Sequence, residues 1–550
     1  MKAALLFLNV LYANAFVGRS SRYSGFGTAS QTRWELCTTR RFSTVDTRND
    51  DDDHNNNNNN NNNNSASTTM SVKRRTLLQS SIATVGAVSM LSVTPSPAGA
   101  FSPTPQKFPR PPYDRDLYWP LGKIAFSLLP LAGTSSRRAT VQQEVIKDTI
   151  WTHDQIQGVV NVNVPVRQTV IRLRSGGLWV HNPVAPTPQL IKMMRELEDR
   201  YGPVKHIVLG TVALEHKATL GAFASYFPKA TVWIQPGQWS FPVNVPIELY
   251  GLVQRGHRLR EIPVPGKPAT QTRYENFAKQ DGPPSWFSEI DYEVLGPFKF
   301  KSVGGFSETA FYHKETKSLI VTDTVCSVTK DPPAIIAEDP RGLFFHARNK
   351  ATDEVEDTPE TRQRGWRRMV QFGLVFFPGK IKVSSFKEAF EDAKNVPADV
   401  ANLGADAVPA KLYPWSWPDD EADQVNFDAI SQGGKLFCPP ILTKLILDRE
   451  PDATLAWVDR VVKRFPETQR VLACHLNGNV KATVQDFSEA FDPLRSRPGN
   501  LVPQRALAED LALLQKASDL LTRFNVVGPS LVCDGEPARV KGRFALKTSS

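Results

Sequence analysis

The stretch from residue 169 to residue 223 constrains the fold of this 550-residue chain more than any other. Two β-forming runs flank a glycine pair at 176–177, which is typical of a hairpin turn. A helix with apolar residues at i, i+3, i+4 and i+7 begins at Pro188 and ends before Gly202. A short apolar run at 206–209 follows, bounded by breakers, as in a buried parallel strand. The order β-β-α-β predicts a layered α/β domain with helices packed on a sheet.

The loop after this last strand, Gly210 to His216, lies where α/β sheets place their chemistry, beyond the carboxyl end of a strand. It ends in Glu215 and His216, a carboxylate beside an imidazole. Taken alone, such a pair at the start of a helix is more often a cap and a surface residue than a set of ligands.

The same stretch resembles the metallo-β-lactamase fold, whose corresponding loop carries the metal-binding pattern His-x-His-x-Asp-His. In register, these positions are Thr211, Ala213, Glu215 and His216. The resemblance therefore implies that the first two ligands are missing, that Glu replaces the Asp, and that the last His is retained.

Several stretches resemble more closely the plastid and cyanobacterial family of the domain of unknown function 4336. They are HNPVAPTP (181–188), EHK (215–217), FPKATVWIQPGQWSFP (227–242), LIVTDTVCSV (319–328) and DPPAI (331–335). The likeness continues towards residue 495. It implies no particular reaction.

Two further segments extend the lactamase resemblance. GGFSETAFYHKETKSLIVTDT resembles the hairpin that ends in the bridging Asp of that fold, which places Asp323 at the Asp position and Phe306 at a lost His position. Residues 470–475 resemble the strand whose terminal His, here His475, completes the second metal site. The resemblance implies an α/β fold, a metallo-β-lactamase-like αββα sandwich with helical and irregular insertions.

The candidate metal ligands are Glu215, His216, Asp323 and His475. Two imidazoles and two carboxylates suit one divalent ion of zinc, manganese or iron, and we expect no other cofactor. The lost positions 211, 213 and 306 all belong to the other metal of the lactamase fold, so we expect no two-metal mechanism. His181 is the candidate auxiliary residue, because it ends a strand near the same edge of the sheet.

Three interpretations of these four side chains remain open. They form a relic in which the groups hydrogen-bond to one another and hold the loops together, or a single-metal site, or a site for another chemistry. The replacement of Asp by Glu lengthens one side chain by a methylene group and displaces a ligand by ~1 Å, which is enough to matter for metal binding.

The first hundred residues have the composition of targeting signals. Residues 1–15 predict a signal peptide, and 16–70 resemble the plastid transit segment of algae with secondary plastids, with a disordered Asn-rich run. In 71–100, paired arginines precede an apolar core and an Ala-Gly-Ala site, which indicates a twin-arginine signal of thylakoid type; an uncleaved anchor is the alternative. Together they predict export to the thylakoid lumen.

The rest of the chain divides by composition. Residues 101–150 are read as a Pro-rich linker, 151–500 as the lactamase-like domain with an insertion at 331–450, and 501–550 as a C-terminal helix and tail. We expect the apolar run 121–132 to pack against the domain; peripheral association with the thylakoid membrane is the alternative.

The residue pattern predicts the local structure of three further segments that contain no motif. Residues 159–166 alternate as a half-buried strand does, 251–284 read as a polar loop, and 298–303 read as a strand.

Several function classes are not indicated. A formal net charge of +10 is modest for 550 residues, and no basic stripe with interleaved aromatic residues occurs, so we expect no nucleic-acid partner. No P-loop, G-x-G-x-x-G, G-x-S-x-G or C-x-x-C pattern is present. We expect a plastid protein with a non-catalytic binding or assembly role. The alternative is a single-metal hydrolase that uses the four candidate ligands.

Overall fold

The computed structural model describes residues 138–159, 161–238, 252, 258–264, 283–301, 305–401, 403 and 411–533. The predicted signal peptide, transit segment, Asn-rich run and twin-arginine signal lie outside these residues, as do the apolar run 121–132 and the end of the C-terminal tail.

Within the described residues, seven strands form one sheet and lie side by side in chain order. The first four pair in antiparallel fashion, and the fourth to the seventh pair in parallel. Their bounds are β1 Val141–Ile146, β2 Ile150–Val159, β3 Val162–Arg172, β4 Leu178–His181, β5 Val204–Leu209, β6 Thr231–Ile234 and β7 Arg258–Glu261.

Two helices connect the parallel strands of this sheet. Helix α1, Pro188–Tyr201, joins β4 to β5, and α2, Leu214–Ala224, joins β5 to β6. The Thr187 side chain caps α1 by accepting a hydrogen bond from the backbone N–H of Leu190, and Pro188 occupies the first turn. The predicted order β-β-α-β is therefore present as β3, β4, α1 and β5.

The remaining strands of the described chain are β8 Ile290–Lys299, β9 Gly305–His313, β10 Ser318–Ile320, β11 Lys382–Val383, β12 Trp415–Ser416, β13 Arg470–Leu472 and β14 Asn479–Lys481. Five of these described strands form a second sheet in the order β14-β13-β10-β9-β8, while β11 and β12 pair by themselves. Strands β10 and β13 are parallel, and the predicted insertion lies in the crossover between them.

Helices dominate this crossover and the C-terminal part of the described chain. Their bounds are α3 Ala334–Glu338, α4 Arg341–Ala347, α5 Pro359–Val375, α6 Phe386–Lys394, α7 Ala398–Ala401, α8 Gln424–Ser431, α9 Pro440–Leu445, α10 Pro451–Arg464, α11 Val484–Glu489 and α12 Ala508–Arg523. Short 3₁₀ turns occur at Leu447–Arg449 and Asp492–Arg495.

The two sheets face each other across a shared apolar layer. Because successive side chains of a strand point to opposite faces, Trp179 and Trp233 of the first sheet reach this layer and pack with Phe311 and Leu472 of the second. The neighbouring Val180 points the other way, into the core beneath α1 and α2.

The outer face of the second sheet is also covered by helices. Tyr312 and Leu319 point away from the first sheet and share a core with Trp366 of α5 and Trp457 of α10. The layers are thus helices, sheet, sheet, helices, and the predicted αββα sandwich with helical insertions is confirmed.

Three local expectations from the sequence need correction. Strand β1 lies inside the predicted linker 101–150, because pairing with β2 orders a segment whose central residues 142–144 are polar and exposed. Strand β3 continues to Arg172 instead of ending at 166, and the run 159–166 contains the turn before it. Strand β7 lies in the predicted polar loop 251–284, where parallel pairing with β6 holds a sequence of low β-propensity.

One further expectation, the strand at 298–303, was displaced along the chain. The strand expected at 298–303 is the end of β8, Ile290–Lys299, which pairs with β9. A register shift between Leu295 and Phe298 hides the alternation of this strand in the sequence.

No helix in the described part of the chain is both long and apolar enough to cross a membrane.

Candidate metal site

The first two candidate ligands lie at the start of α2. Strand β5 ends at Leu209, and α2 begins at Leu214, so Glu215 and His216 belong to the first helical turn and not to the loop expected from the sequence. The His216 side chain is fully buried. The loop is anchored by the Asn182 side-chain carbonyl, which accepts a hydrogen bond of 2.9 Å from the backbone N–H of Gly210.

Asp323 follows the end of β10 in the second sheet. Glu308 of β9 fixes this turn, because its carboxylate accepts hydrogen bonds from the backbone N–H groups of residues 322, 323 and 324. The Thr211 hydroxyl donates to Oδ2 of Asp323 at 3.2 Å, which leaves Oδ1 directed at the histidines.

His475 follows the end of β13 and is fixed by the first sheet. Its Nδ1 donates to the Pro165 carbonyl oxygen at 2.9 Å, and its backbone forms a bridge with Val166. Arg167 donates to the carbonyl oxygens of Ala473 at 2.8 Å and Leu476 at 3.3 Å, while Asp154 accepts two hydrogen bonds from the same guanidinium. The bond to Pro165 assigns a proton to Nδ1, so Nε2 is the atom that faces the cluster.

The four side chains predicted to converge do so. The Nε2 atoms of His216 and His475 are 3.2 Å apart. Oδ1 of Asp323 lies 2.9 Å from Nε2 of His475 and 3.9 Å from Nε2 of His216. With Glu215 included, one donor atom from each residue lies within 4.8 Å of every other.

These distances fit one metal ion. Two ligands at about 2.05 Å from a tetrahedral ion are separated by about 3.3 Å, close to the spacing of the two Nε2 atoms. Metal-binding histidines usually donate a hydrogen bond from the ring nitrogen that does not bind the metal, and Nδ1 of His475 has such a partner in the Pro165 carbonyl oxygen. His216 differs, because its Nδ1 is buried and has no hydrogen-bond partner among the described residues.

Charge and burial oppose each other in this cluster. Burial disfavours the charged form of His475, but the hydrogen bond and charge of Asp323 outweigh it and raise the pKa of His475 to about 9. Burial lowers the pKa of His216 to about 3. Burial and the neighbouring charge of Asp323 raise the pKa of Glu215, and they raise that of Glu308 to about 7. The site therefore favours an added cation.

The positions implied to be lost carry neither an imidazole nor a carboxylate. The Thr211 hydroxyl is engaged with Asp323 and accepts from the backbone N–H of Ala213 at 3.1 Å. Phe306 contributes a buried apolar ring. The candidate ligands Glu215, His216, Asp323 and His475 form one group whose donor atoms lie within 4.8 Å of one another.

His181 does not join the ligand cluster. It is buried and stacks on Trp179 with the ring centroids 5.8 Å apart. Its Nδ1 is 3.9 Å from Sγ of Cys474, and burial lowers its pKa to about 3. This side chain therefore packs behind the site as a neutral imidazole, and the auxiliary role expected for it is not supported.

Sequence reasoning missed Glu308, Arg167 and Lys217. Glu308 interrupts the otherwise uncharged run of β9 with a carboxylate, which is the signal that marks it. Lys217 follows His216 in α2 and is almost fully buried, and burial lowers its pKa to about 7. Arg167 has no sequence signal, because the carbonyl oxygens it binds lie about 300 positions away.

Comparisons with known proteins agree with the sequence resemblance. The family model described as Domain of unknown function (DUF4336) matches residues 147–492. No protein with a curated function matches the chain.

Solved structures of the metallo-β-lactamase type are similar to the chain. A metallo-β-lactamase from Pontibacter korlensis is 10% identical, with 64% of this chain and 99% of that chain covered and a TM-score of 0.27. The mono-zinc form of the metallo-β-lactamase FIM-1 from Pseudomonas aeruginosa is 9% identical, with 33% and 67% covered and a TM-score of 0.21. A metal-soaked flavodiiron core from Synechocystis is 13% identical, with 38% and 49% covered and a TM-score of 0.23.

Proposed function

Because this chain belongs to the DUF4336 family, which assigns no reaction, we propose a function from the site itself: the protein binds one divalent metal ion through His216, Asp323 and His475, with Glu215 beside them. The observation that carries the proposal is the approach of the two Nε2 atoms to 3.2 Å, with Oδ1 of Asp323 next to both. Two imidazoles and one carboxylate are a common ligand set for a single zinc or iron ion.

The proton position on His216 leaves its Nε2 free to bind a cation. Nε2 of His475 donates to Asp323, so Nε2 of His216 has to accept and its proton sits on Nδ1. That Nδ1 has no partner among the described residues, and a buried donor without a partner costs about 1–3 kcal/mol. This cost is the same with and without a metal, but the Nε2 lone pair of His216 stays directed at the cluster and is available to a cation.

A hydrolytic reaction at this site is our proposal for its activity. A divalent ion held there supplies Lewis-acid polarisation of a carbonyl oxygen. The Asp323 and His475 side chains are 16% and 19% exposed, so a substrate has access from that side, while buried His216 closes the other. Burial and the charge of Asp323 raise the pKa of Glu215, which suits a group that exchanges a proton with a substrate.

A non-catalytic binding or assembly role is the second candidate. It is favoured by the two hydrogen bonds of His475, to Asp323 and to the Pro165 carbonyl oxygen, which tie both sheets together without any metal. In that case the four side chains hold the loops at one edge of the sandwich.

Metal analysis of the mature protein separates these candidates. Protein purified without chelator is expected to hold close to one divalent ion per chain, and His216→Ala with His475→Ala is expected to hold none. A content below about 0.1 ion per chain in the unmodified protein contradicts the proposed function and leaves the second candidate.

We also propose that the protein works in the thylakoid lumen of an algal plastid. The support is the series of three targeting patterns in residues 1–100. Because the twin-arginine route exports folded proteins, a metal ion enters the site in the stroma, before export. For the apolar run 121–132 we propose packing against the domain, with peripheral contact with the thylakoid membrane as the alternative.

A further inference from the structure

Glu308 occupies the point where the segments that carry the ligands meet. It lies in β9, Gly305–His313, between β10 and β8 of the second sheet, and its side chain is fully buried. The backbone around it binds the loop that leads to His216: the N–H of Thr309 donates to the Gly210 carbonyl oxygen at 2.8 Å, and Glu308 itself forms a bridge with Thr211.

The side chain of the same residue binds the turn that carries Asp323. Oε1 accepts from the Thr322 N–H at 2.9 Å and from the Thr324 hydroxyl at 2.7 Å. Oε2 accepts from the N–H of Asp323 itself at 2.9 Å. Hydrogen bonds to a charged acceptor are about twice as strong as neutral ones, so this carboxylate fixes the turn more firmly than a neutral cap does.

A purely structural cap does not explain a charge at this position. Asn, Ser and Thr cap turns without burying a charge, and burial of a carboxylate beside the second carboxylate of Asp323 is unfavourable. Both oxygens of Glu308 are used as acceptors, and only a carboxylate offers acceptors on both sides. The arrangement is favourable when a cation neutralises the pair.

We propose that Glu308 is a positioning residue for the metal site: it fixes the backbone of Asp323 so that Oδ1 faces His216 and His475. This inference rests on the proposed function. Glu308 does not contact the ion. It acts through Asp323, as the hydrogen-bonded partners of metal ligands commonly do.

The variant Glu308→Gln tests this role with little change in shape. Its amide oxygen can replace Oε1 and keep Thr322 and Thr324 bound, but its NH₂ group then faces the N–H of Asp323, donor against donor. Zinc affinity, measured by competition with a chromophoric chelator, is expected to fall about 10–100-fold. The matched control is Glu293→Gln, a buried carboxylate of β8 that pairs with Arg460 and Arg464 away from the site; it is expected to retain the affinity of the unmodified protein.

A double-mutant cycle distinguishes positioning from general stability. If Glu308 acts through Asp323, the double variant Glu308→Gln with Asp323→Asn is expected to bind zinc within about twofold of the affinity of Asp323→Asn alone. The visible spectrum of the cobalt-loaded Glu308→Gln protein is expected to change, since the coordination geometry changes. Equal zinc affinity in Glu308→Gln and the unmodified protein overturns the inference, and so do losses that multiply in the double variant.

The failures of the two proposals differ in pattern. If the unmodified protein takes up no zinc, the proposed function fails, and the role of Glu308 fails with it. If the unmodified protein binds zinc and Glu308→Gln binds it equally, the proposed function stands and only the positioning role fails. Should Glu308→Gln not fold, Thr324→Val removes one donor to the same carboxylate. A several-fold loss of affinity in Thr324→Val that Thr324→Ser restores supports the role, and an unchanged affinity in Thr324→Val overturns it.

Discussion

The Nε2 atoms of His216 and His475 lie 3.2 Å apart, although the residues are 259 positions apart in the chain. One follows a strand of the first sheet and the other a strand of the second. The contact therefore exists only when the two sheets are packed in register. Each imidazole directs its Nε2 atom to the same point, so one metal ion can bind both once His475 gives up its Nε2 proton.

Loss of either imidazole is expected to abolish tight metal binding. His216→Ala or His475→Ala removes one of the nitrogen donors, and zinc affinity is expected to fall by about 100-fold or more, beyond the effect typical of outer-shell changes. Isothermal titration calorimetry measures this. His206→Gln is the control, because His206 contacts Trp233 in the first sheet and lies outside the ligand cluster. Equal losses in all three variants contradict a site at the two histidines.

Metal affinity is expected to rise with pH. Asp323 raises the pKa of His475 to about 9 against the effect of burial, and the metal requires the neutral imidazole. Below that pKa, the metal has to displace one proton from His475, so the apparent affinity falls about tenfold for each unit by which the pH is lowered. Chelator competition across neutral and alkaline pH measures the slope. Asp323→Asn removes the partner and shifts the rise to lower pH; a flat profile in the unmodified protein contradicts the coupling.

Acid is expected to destabilise the fold through buried neutral histidines such as His153. Burial lowers the pKa of His153 to about 3, while its nitrogens contact the Gln142 and Gln168 side chains. The unfolded chain binds this proton near pH 6.5, so the stability is present above that pH and is lost as pH falls towards 3. His153→Gln is expected to reduce the slope of unfolding free energy in this window by about 1.4 kcal/mol per pH unit. Urea unfolding at several pH values measures it, and an unchanged slope refutes the assignment.

Gly478 is expected to tolerate no side chain. A Cβ at this position meets Nη1 of Arg167 at 1.5 Å and the Ala473 carbonyl oxygen at 2.2 Å. Gly478→Ala therefore displaces the guanidinium that holds the His475 loop, and we expect a loss of about 1–3 kcal/mol in stability together with weaker zinc binding. Gly528→Ala is the control, because its Cβ has no atom within 4 Å. Equal thermal unfolding temperatures for Gly478→Ala and Gly528→Ala contradict this prediction.

The proposed route to the thylakoid lumen is tested at the paired arginines. Arg74→Lys combined with Arg75→Lys keeps the positive charge but removes the pattern that the twin-arginine pathway reads. We expect the precursor to accumulate in the stroma of isolated plastids. Arrival in the lumen at normal yield shows that another signal directs this chain.

The elements that could be predicted from the sequence have strong local periodicity. Helix α1 carries its apolar stripe and its cap within about twenty residues, so its existence and its ends are both readable. The four ligands could be placed by register with a related fold. Strands β1 and β7 were missed because their pairing with β2 and β6, not their composition, holds them.

The supporting contacts of the site could not be read from the sequence. Arg167 binds a carbonyl oxygen 306 positions away, and nothing in the residue itself identifies that partner. Glu308 is visible as a carboxylate in an uncharged strand, but its acceptors face a turn that only the packed hairpin brings into reach. Such contacts depend on tertiary geometry, so they follow from the fold and do not precede it.

X-ray diffraction at the zinc absorption edge, from crystals of the mature protein grown with zinc, tests directly whether the four side chains bind a metal ion. We expect one anomalous peak in the ligand cluster, about 2.1 Å from Nε2 of both His216 and His475 and adjacent to Oδ1 of Asp323. We also expect crystals of His475→Ala to lack this peak. The metal site is contradicted if crystals grown in excess zinc show the four side chains in the positions described here but no anomalous peak between them.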